Sequence, residues 1–213
     1  MAENGVVGLN PIRAKQQIDD LNIRLSSAQR TLVSDTQDYL EKLAKVWFSP
    51  NAKEISQSIG ASIKEVDEEI KKNTVDIIED SCRTFNSLAI TQGIMEVNIV
   101  PGYFNNAEYT NCNEEDSSGN VGMKIKLVKE ITDEYLIKLD KIKQNLQEIP
   151  KDISFYDNES EIASLFDSRV EKIKNSLNGS IDFVNKKITQ AILEQEELIA
   201  DGSSNATDIL SKG

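Results

Sequence analysis

Histidine is missing altogether from the 213 residues of this chain. Its absence removes the commonest general base, any Ser-His-Asp triad and most zinc sites. Cysteine is scarce: Cys82 falls inside a helical pattern and Cys112 in a polar loop, too few for a disulfide framework, and no bridge between them is expected. Basic residues are outnumbered, with 24 Lys and Arg against 36 Asp and Glu, leaving a formal charge of −12. That balance opposes nucleic acid, whose affinity comes largely from phosphate neutralisation, and anionic membrane surfaces. No apolar run is long enough to span a bilayer. Met1–Gly8 has neither a basic stretch nor an apolar core, so no secretory signal is expected there. With four prolines and ten glycines, long helices can run uninterrupted. With 38% hydrophobic but only 6% aromatic residues, the composition suits a thin, elongated molecule.

What the chain does have is helical periodicity. Residues 1–9 form a flexible lead-in, and Asn10-Pro11 reads as an N-cap followed by proline in the first turn. Ile18, Leu21, Leu25, Ala28, Leu32, Tyr39, Leu43 and Val46 then alternate three- and four-residue spacings. This is a seam of about five heptads on a helix of about 50 Å. Asp35 interrupts the seam and reads as a helix edge or a register device. Trp47-Phe48-Ser49-Pro50 closes the helix with the only tryptophan, an aromatic neighbour and a Ser-Pro turn. A second helix starts near Asn51, with Ile55, Ile59, Ile63, Val66, Ile70, Ile77, Ser81, Phe85 and Leu88 on one face, and ends at Gly93.

Residues 96–122 break the pattern with turn and loop chemistry, and short strands at Val97–Val100 and Met123–Leu127 are expected to pair as a small ribbon. A third helix runs from about Val128 to Ile149 and is stopped by Pro150. A second turn at Lys151–Ser160 carries another aromatic pair, Phe155 and Tyr156. The fourth helix shows Ile162, Phe166, Val170, Ile173, Leu177, Ile181, Val184 and Ile188 on one face, a weak point at Asn178-Gly179, and an end near Ala200; 201–213 reads as a disordered tail. An offset of 107 pairs Ile55 with Ile162, Ile59 with Phe166, Phe48 with Phe155 and Asn51 with Asn158, as a duplicated hairpin would. The expected fold is therefore all-α: two tandem antiparallel hairpins, 10–95 and 123–200, forming an elongated four-helix bundle with a small irregular or β insertion at 96–122.

Residues 12–92, with Trp47-Phe48-Ser49 at the turn and Pro50-Asn51-Ala52 opening the next helix, resemble the WXG (ESAT-6-like) family of helical hairpins handled by type VII secretion. Ser49 stands where that family has glycine. The resemblance implies a non-enzymatic substrate or partner protein, with Trp47, Phe48, Ser49 and Pro50 as the turn motif, Phe155 and Tyr156 as its second copy, and a tandem arrangement that makes the chain its own pseudo-dimer. It places the protein in a bacterial cytoplasm or exported without a cleavable signal. None of the five tyrosines is followed four positions later by an acid, the export mark of that family. This favours the other expectation, a structural component of a phage or injection-type particle, located in the virion and self-assembling through helix faces.

For chemistry the sequence offers little. Gly119-Asn120-Val121-Gly122 lacks the lysine of a phosphate loop. Asn111, Asn113 and Glu115 alternate like calcium ligands, but Asp116 and Gly122 sit where such a loop needs glycine and glutamate, so a solvated acidic loop is the reading. No catalytic, metal or cofactor-binding residue is assigned, no cofactor is expected, and the expected partner is a protein or a further copy rather than a small molecule. Trp47 and Phe48 have two readings: core residues plugging the end of a bundle, or an exposed recognition patch.

Overall fold

Asn10 opens the first helix as the sequence indicates: its Oδ1 accepts the backbone N–H groups of Ile12 at 3.0 Å and Arg13 at 3.1 Å. A computed structural model describes residues 10–119, 121–149 and 161–211 of the chain. Among these residues lie four helices: α1 (Pro11–Leu43), α2 (Pro50–Thr91), α3 (Ile125–Gln147) and α4 (Glu161–Ser211). A two-stranded ribbon joins β1 (Trp47–Phe48) to β2 (Gly122–Met123). Mostly helical, with only a tiny ribbon beside the helices, the molecule is all-α with a four-helix arrangement. The second turn expected at 151–160, with Phe155 and Tyr156, lies outside the described residues, as does the lead-in 1–9.

The predicted seams are the core. Ile18, Leu21, Leu25, Leu32 and Leu43 of α1, Ile59, Ile63, Ile70, Ile77 and Phe85 of α2, Leu139 and Ile142 of α3, and Ile173, Leu177 and Val184 of α4 are all buried. The expected seam slips at one end: Leu88 is 40% exposed and Ala89 takes the buried position. A helix turning every 3.6 residues drifts against a 3.5-residue repeat. At Gly93 (φ +65°) the helix closes in a Schellman turn, with the Ile94 N–H reaching the Ala89 carbonyl and the Gly93 N–H that of Ile90. Helix α4 continues unbroken past Gly179 and past Ala200 to Ser211, over a stretch whose composition reads as a tail.

The chain divides into two compact units, each drawing on both halves of the sequence. The first takes Met1–Leu32, Val66–Asn106 and Lys141–Ser176; the second takes Val33–Glu65, Ala107–Asp140 and Leu177–Gly213. In the second unit, partners on α3 fall in number as those on α1 rise: Asp35 meets Lys138, Thr36 meets Tyr135 and Tyr39 meets Thr132. These two helices are antiparallel. In the first unit α2 packs on α4 through Arg169, which pairs with Asp80 and, at 3.8 Å, with Asp76.

The ribbon differs from the one expected. Trp47 pairs with Met123 and Phe48 with Gly122, whereas Val97–Val100 forms no ladder. Residues 125–127 are claimed by α3, and the backbone of Val97 and Val100 is bonded by side chains of α2 and α1 instead. Residues 94–113 lead from α2 towards α3 as neither helix nor strand, with Val97, Ile99 and Cys112 buried and Asn98, Val100 and Glu108 exposed. Over Val97–Val100 the burial alternates with a period of two, which marks this part as a strand-like strap laid on helices.

Candidate functional site: the Trp47 turn and the docked strap

After Leu43 the chain makes a tight turn: Lys45 and Val46 donate to the carbonyls of Lys42 and Leu43 at 3.1 Å each. This brings Trp47 inward. Its side chain is 2% exposed, so of the two readings the structure places Trp47 in the core; Phe48 is half-buried. The turn is tied to the start of α3 by the Lys124 N–H on the Val46 carbonyl at 2.8 Å, beside the Trp47–Met123 bridge. Ser49 ends the ribbon and caps α2. Its Oγ accepts the Ala52 N–H at 2.9 Å, and Pro50 fills the first helical position, where its missing N–H is harmless. Glycine in place of Ser49 would lack that hydroxyl. Its own N–H donates to the Asn113 carbonyl at 3.2 Å.

Above the turn, α1 and α3 exchange a reciprocal pair of contacts. Tyr39 and Tyr135 stack with ring centroids 4.2 Å apart and planes within 5°. The Tyr39 hydroxyl meets Thr132 Oγ1 at 3.2 Å, and the Tyr135 hydroxyl meets Thr36 Oγ1 at 2.8 Å. Burial pushes both phenols up, Tyr135 well above the ordinary value, and each stays neutral in the physiological range. Asp35, the acid that interrupts the seam, reaches Lys138 at 2.9 Å; Lys138 also meets Asp38 at 3.4 Å, and Asp38 meets Lys42 at 2.9 Å. The seam acid thus joins an interhelical ion-pair network.

Around Asn111, Asn113 and Glu115 the loop is tied to α2 and to itself. Asn113 spends its carbonyl on Ser49, Glu114 pairs with Lys53 at 2.9 Å, and Asp116 Oδ1 accepts the Ser118 N–H at 2.8 Å in a tight turn. Among the described residues no group of three or more His, Cys, Asp or Glu could hold a metal ion. No described helix is long and apolar enough to cross a membrane.

Cys112, expected in a polar loop, is 2% exposed. Its N–H donates to Ser56 Oγ at 2.9 Å, and burial raises its thiol pKa to about 11 against the hydrogen bond from Ser56. Cys82 is also buried in the other unit, and both thiols are free. Beside Cys112, Tyr109 lies on Gly60 so closely that a Cβ there would meet its ring at 3.3 Å.

In the first unit the strap is held by side-chain amides. Asn86 both donates to the Val97 carbonyl at 2.9 Å and accepts the Val97 N–H at 2.7 Å. Asn22 donates to the Val100 carbonyl at 3.1 Å and accepts the Gly102 N–H at 2.7 Å. Gln29 does the same for Asn105, at 2.8 and 2.9 Å, and Arg30 donates to the Tyr103 carbonyl at 3.3 Å. Gln29 also donates at 2.5 Å to Asp67, a fully buried carboxylate that pairs with Lys71 at 2.7 Å. Burial works against the Lys71 charge, but the hydrogen bond and attraction of Asp67, helped by Glu68, outweigh it and raise its pKa.

Compared with known proteins, the chain matches no family model, no curated protein and no solved structure.

The seams did not announce this polar layer. Ser26, Gln29, Val33, Thr36 and Leu40 form a second stripe on α1, also at alternating three- and four-residue spacing, and all are buried. Because three of the five are polar, they read as part of a solvated face. The recoverable signal was their size and regular spacing, since short polar and amide side chains recurring beside a heptad seam suit a closely approaching backbone. Three exposed apolar side chains cluster at this end of the unit: Ile23 (60% exposed), Val100 (83%) and Tyr103 (88%) line one hollow of about 360 Å³, with Lys15 and Arg30 on its walls.

Proposed function

We propose that the chain is a non-enzymatic interaction protein, a substrate or partner of the WXG kind in type VII secretion. The observation that carries this reading is the contiguous patch of Ile23, Val100 and Tyr103 around one hollow. Scattered exposed apolar residues are ordinary, but three lining one hollow, one of them an aromatic with a free rim, suit a partner's apolar side chains. Lys15 and Arg30 outnumber Asp19 on its walls, leaving the hollow with a small positive excess on a chain of net charge −12. The fitting partner therefore offers apolar side chains beside a carboxylate. The α1–turn–α2 hairpin with Trp47 at its base supports the family side of the reading. The test is a photo-crosslinking amino acid at Tyr103, compared with one at the exposed Thr110, in the native host. A discrete adduct from position 103 alone is expected; equal or no adducts at both positions overturn the assignment.

A second reading, a phage or injection-particle component, is favoured by a separate observation. Helix α4 exposes Leu193 (54%), Leu198 (66%) and Ile199 (57%), material for self-assembly through a helix face. Light scattering on the purified chain separates the two: a 23.8 kDa monomer supports the first, and a large discrete oligomer the second.

A further inference from the structure

We propose that the groove between α1 and α2 in the first unit is a general receptor for an extended peptide, occupied at rest by the chain's own residues 95–106, and that it accepts a matching segment of a partner protein in their place. The groove recognises backbone. Asn86, Asn22 and Gln29 each give one donor and one acceptor to the strap's main chain, so each carboxamide does for the strap what a neighbouring strand does in a sheet. Gln29 is fixed in direction by the buried Asp67, which Lys71 holds in turn. Main-chain receptors hold the ligand, and its alternate side chains supply the selection.

Side-chain requirements of the groove are equally plain. Val97 and Ile99 are 4% and 9% exposed, whereas Asn98 and Val100 between and after them face out. At Gly102 (φ +26°) a Cβ would stand 2.5 Å from Ser26 Oγ and 2.7 Å from the Phe104 ring. The groove therefore selects two apolar residues two positions apart, with a glycine three positions after the second. The resident segment follows Gly93, whose positive φ and open surroundings let the chain turn at α2's end, and its main chain is held by side chains and not by a ladder. This inference rests on the reading that the chain works by binding other proteins.

Cys82, packed under the strap against the Ile99 backbone, reports the event. The experiment uses the full chain with Cys112→Ser, so that Cys82 is the only thiol, and follows its reaction with Ellman's reagent under native conditions. Gly102→Ala displaces the strap from the strap side and leaves the receptors intact; it is expected to speed labelling at least tenfold while helical circular dichroism is retained. A synthetic peptide of residues 95–106 should then restore protection saturably, and the same peptide carrying Gly102→Ala should not. Where Gly102→Ala loses its helical signal, Ile99→Ala takes its place in the same assay. Labelling at the global unfolding rate in every variant, or no protection by the peptide, overturns the proposal. Failure of the peptide alongside a specific Tyr103 crosslink would remove this inference and leave the interaction reading standing.

Discussion

Trp47 shows how one residue can be prominent in a sequence for a structural reason. It is 2% exposed and bridges to Met123, so it ties the end of α1 to the start of α3. Trp47→Ala is expected to cost about 3–5 kcal/mol, the usual penalty for emptying a large buried aromatic site. Urea denaturation followed by circular dichroism reads that loss; a change below about 1 kcal/mol would mean that the side chain is not a core element. The Thr36–Tyr135 contact makes a finer test. Thr36→Val takes this partner from the buried Tyr135 hydroxyl and should cost about 1–3 kcal/mol, and the double variant with Tyr135→Phe should cost less than the sum of the two single changes. At this scale the sequence is legible where a residue is large and apolar. It is not legible at Cys112, whose polar neighbours suggest solvent exposure although Ser56 and the helix beneath it close the site.

Helix α2 begins where Ser49 caps it, and the sequence located that boundary to within a residue because capping is a local matter. Ser49→Ala should lower stability by about 1 kcal/mol and Ser49→Gly by less, since glycine retains access to the capping conformation; equal losses would show that the hydroxyl is not what matters. Between α1 and α3 the ion pairs make a different prediction. Asp38 is lowered, chiefly by its hydrogen bond from Lys42 against the cost of burial, then by Lys138; Lys138 is raised, first by Asp35. A lowered carboxyl stabilises the fold above its ordinary 3.8 and stops doing so as pH falls through the lowered value. A raised ammonium stabilises it below its ordinary 10.5, and that contribution disappears as pH rises through the raised value. Both groups are more than a third exposed, so the network is worth less than about 1 kcal/mol at neutral pH. Lys138→Met should accordingly leave stability at pH 7 within that range and flatten its decline below pH 3.8 and above pH 10.5, read as urea midpoints across pH.

At the scale of the molecule, a charge of −12 on 213 residues means that the compact state carries its own repulsion. Raising ionic strength from 0.01 to 0.1 M shortens the screening length from about 30 to about 10 Å. The melting temperature is expected to rise over that interval, as scanning calorimetry would show; a fall would mean that ion pairs such as Arg169–Asp80 outweigh the net repulsion. The two compact units also belong to this scale. Each mixes segments of both sequence halves, an arrangement that a reading based on consecutive hairpins does not yield, because contacts between distant helices leave no mark on the spacing within either one.

The sequence by itself determined that there are four helices, most of their apolar seams, the cap at Asn10, the Ser49-Pro50 turn and the stop at Gly93, since each depends on residues within a turn or two of one another. Only the tertiary structure decided what covers the second stripe of α1, which strand Trp47 pairs with, and where residues 94–113 lie. A heptad seam states that a helix has a neighbour but does not name it. The strap is the clearest case: its backbone groups needed partners, and those partners, Asn22, Gln29 and Asn86, are polar residues whose burial exists only once α1, α2 and the strap have come together.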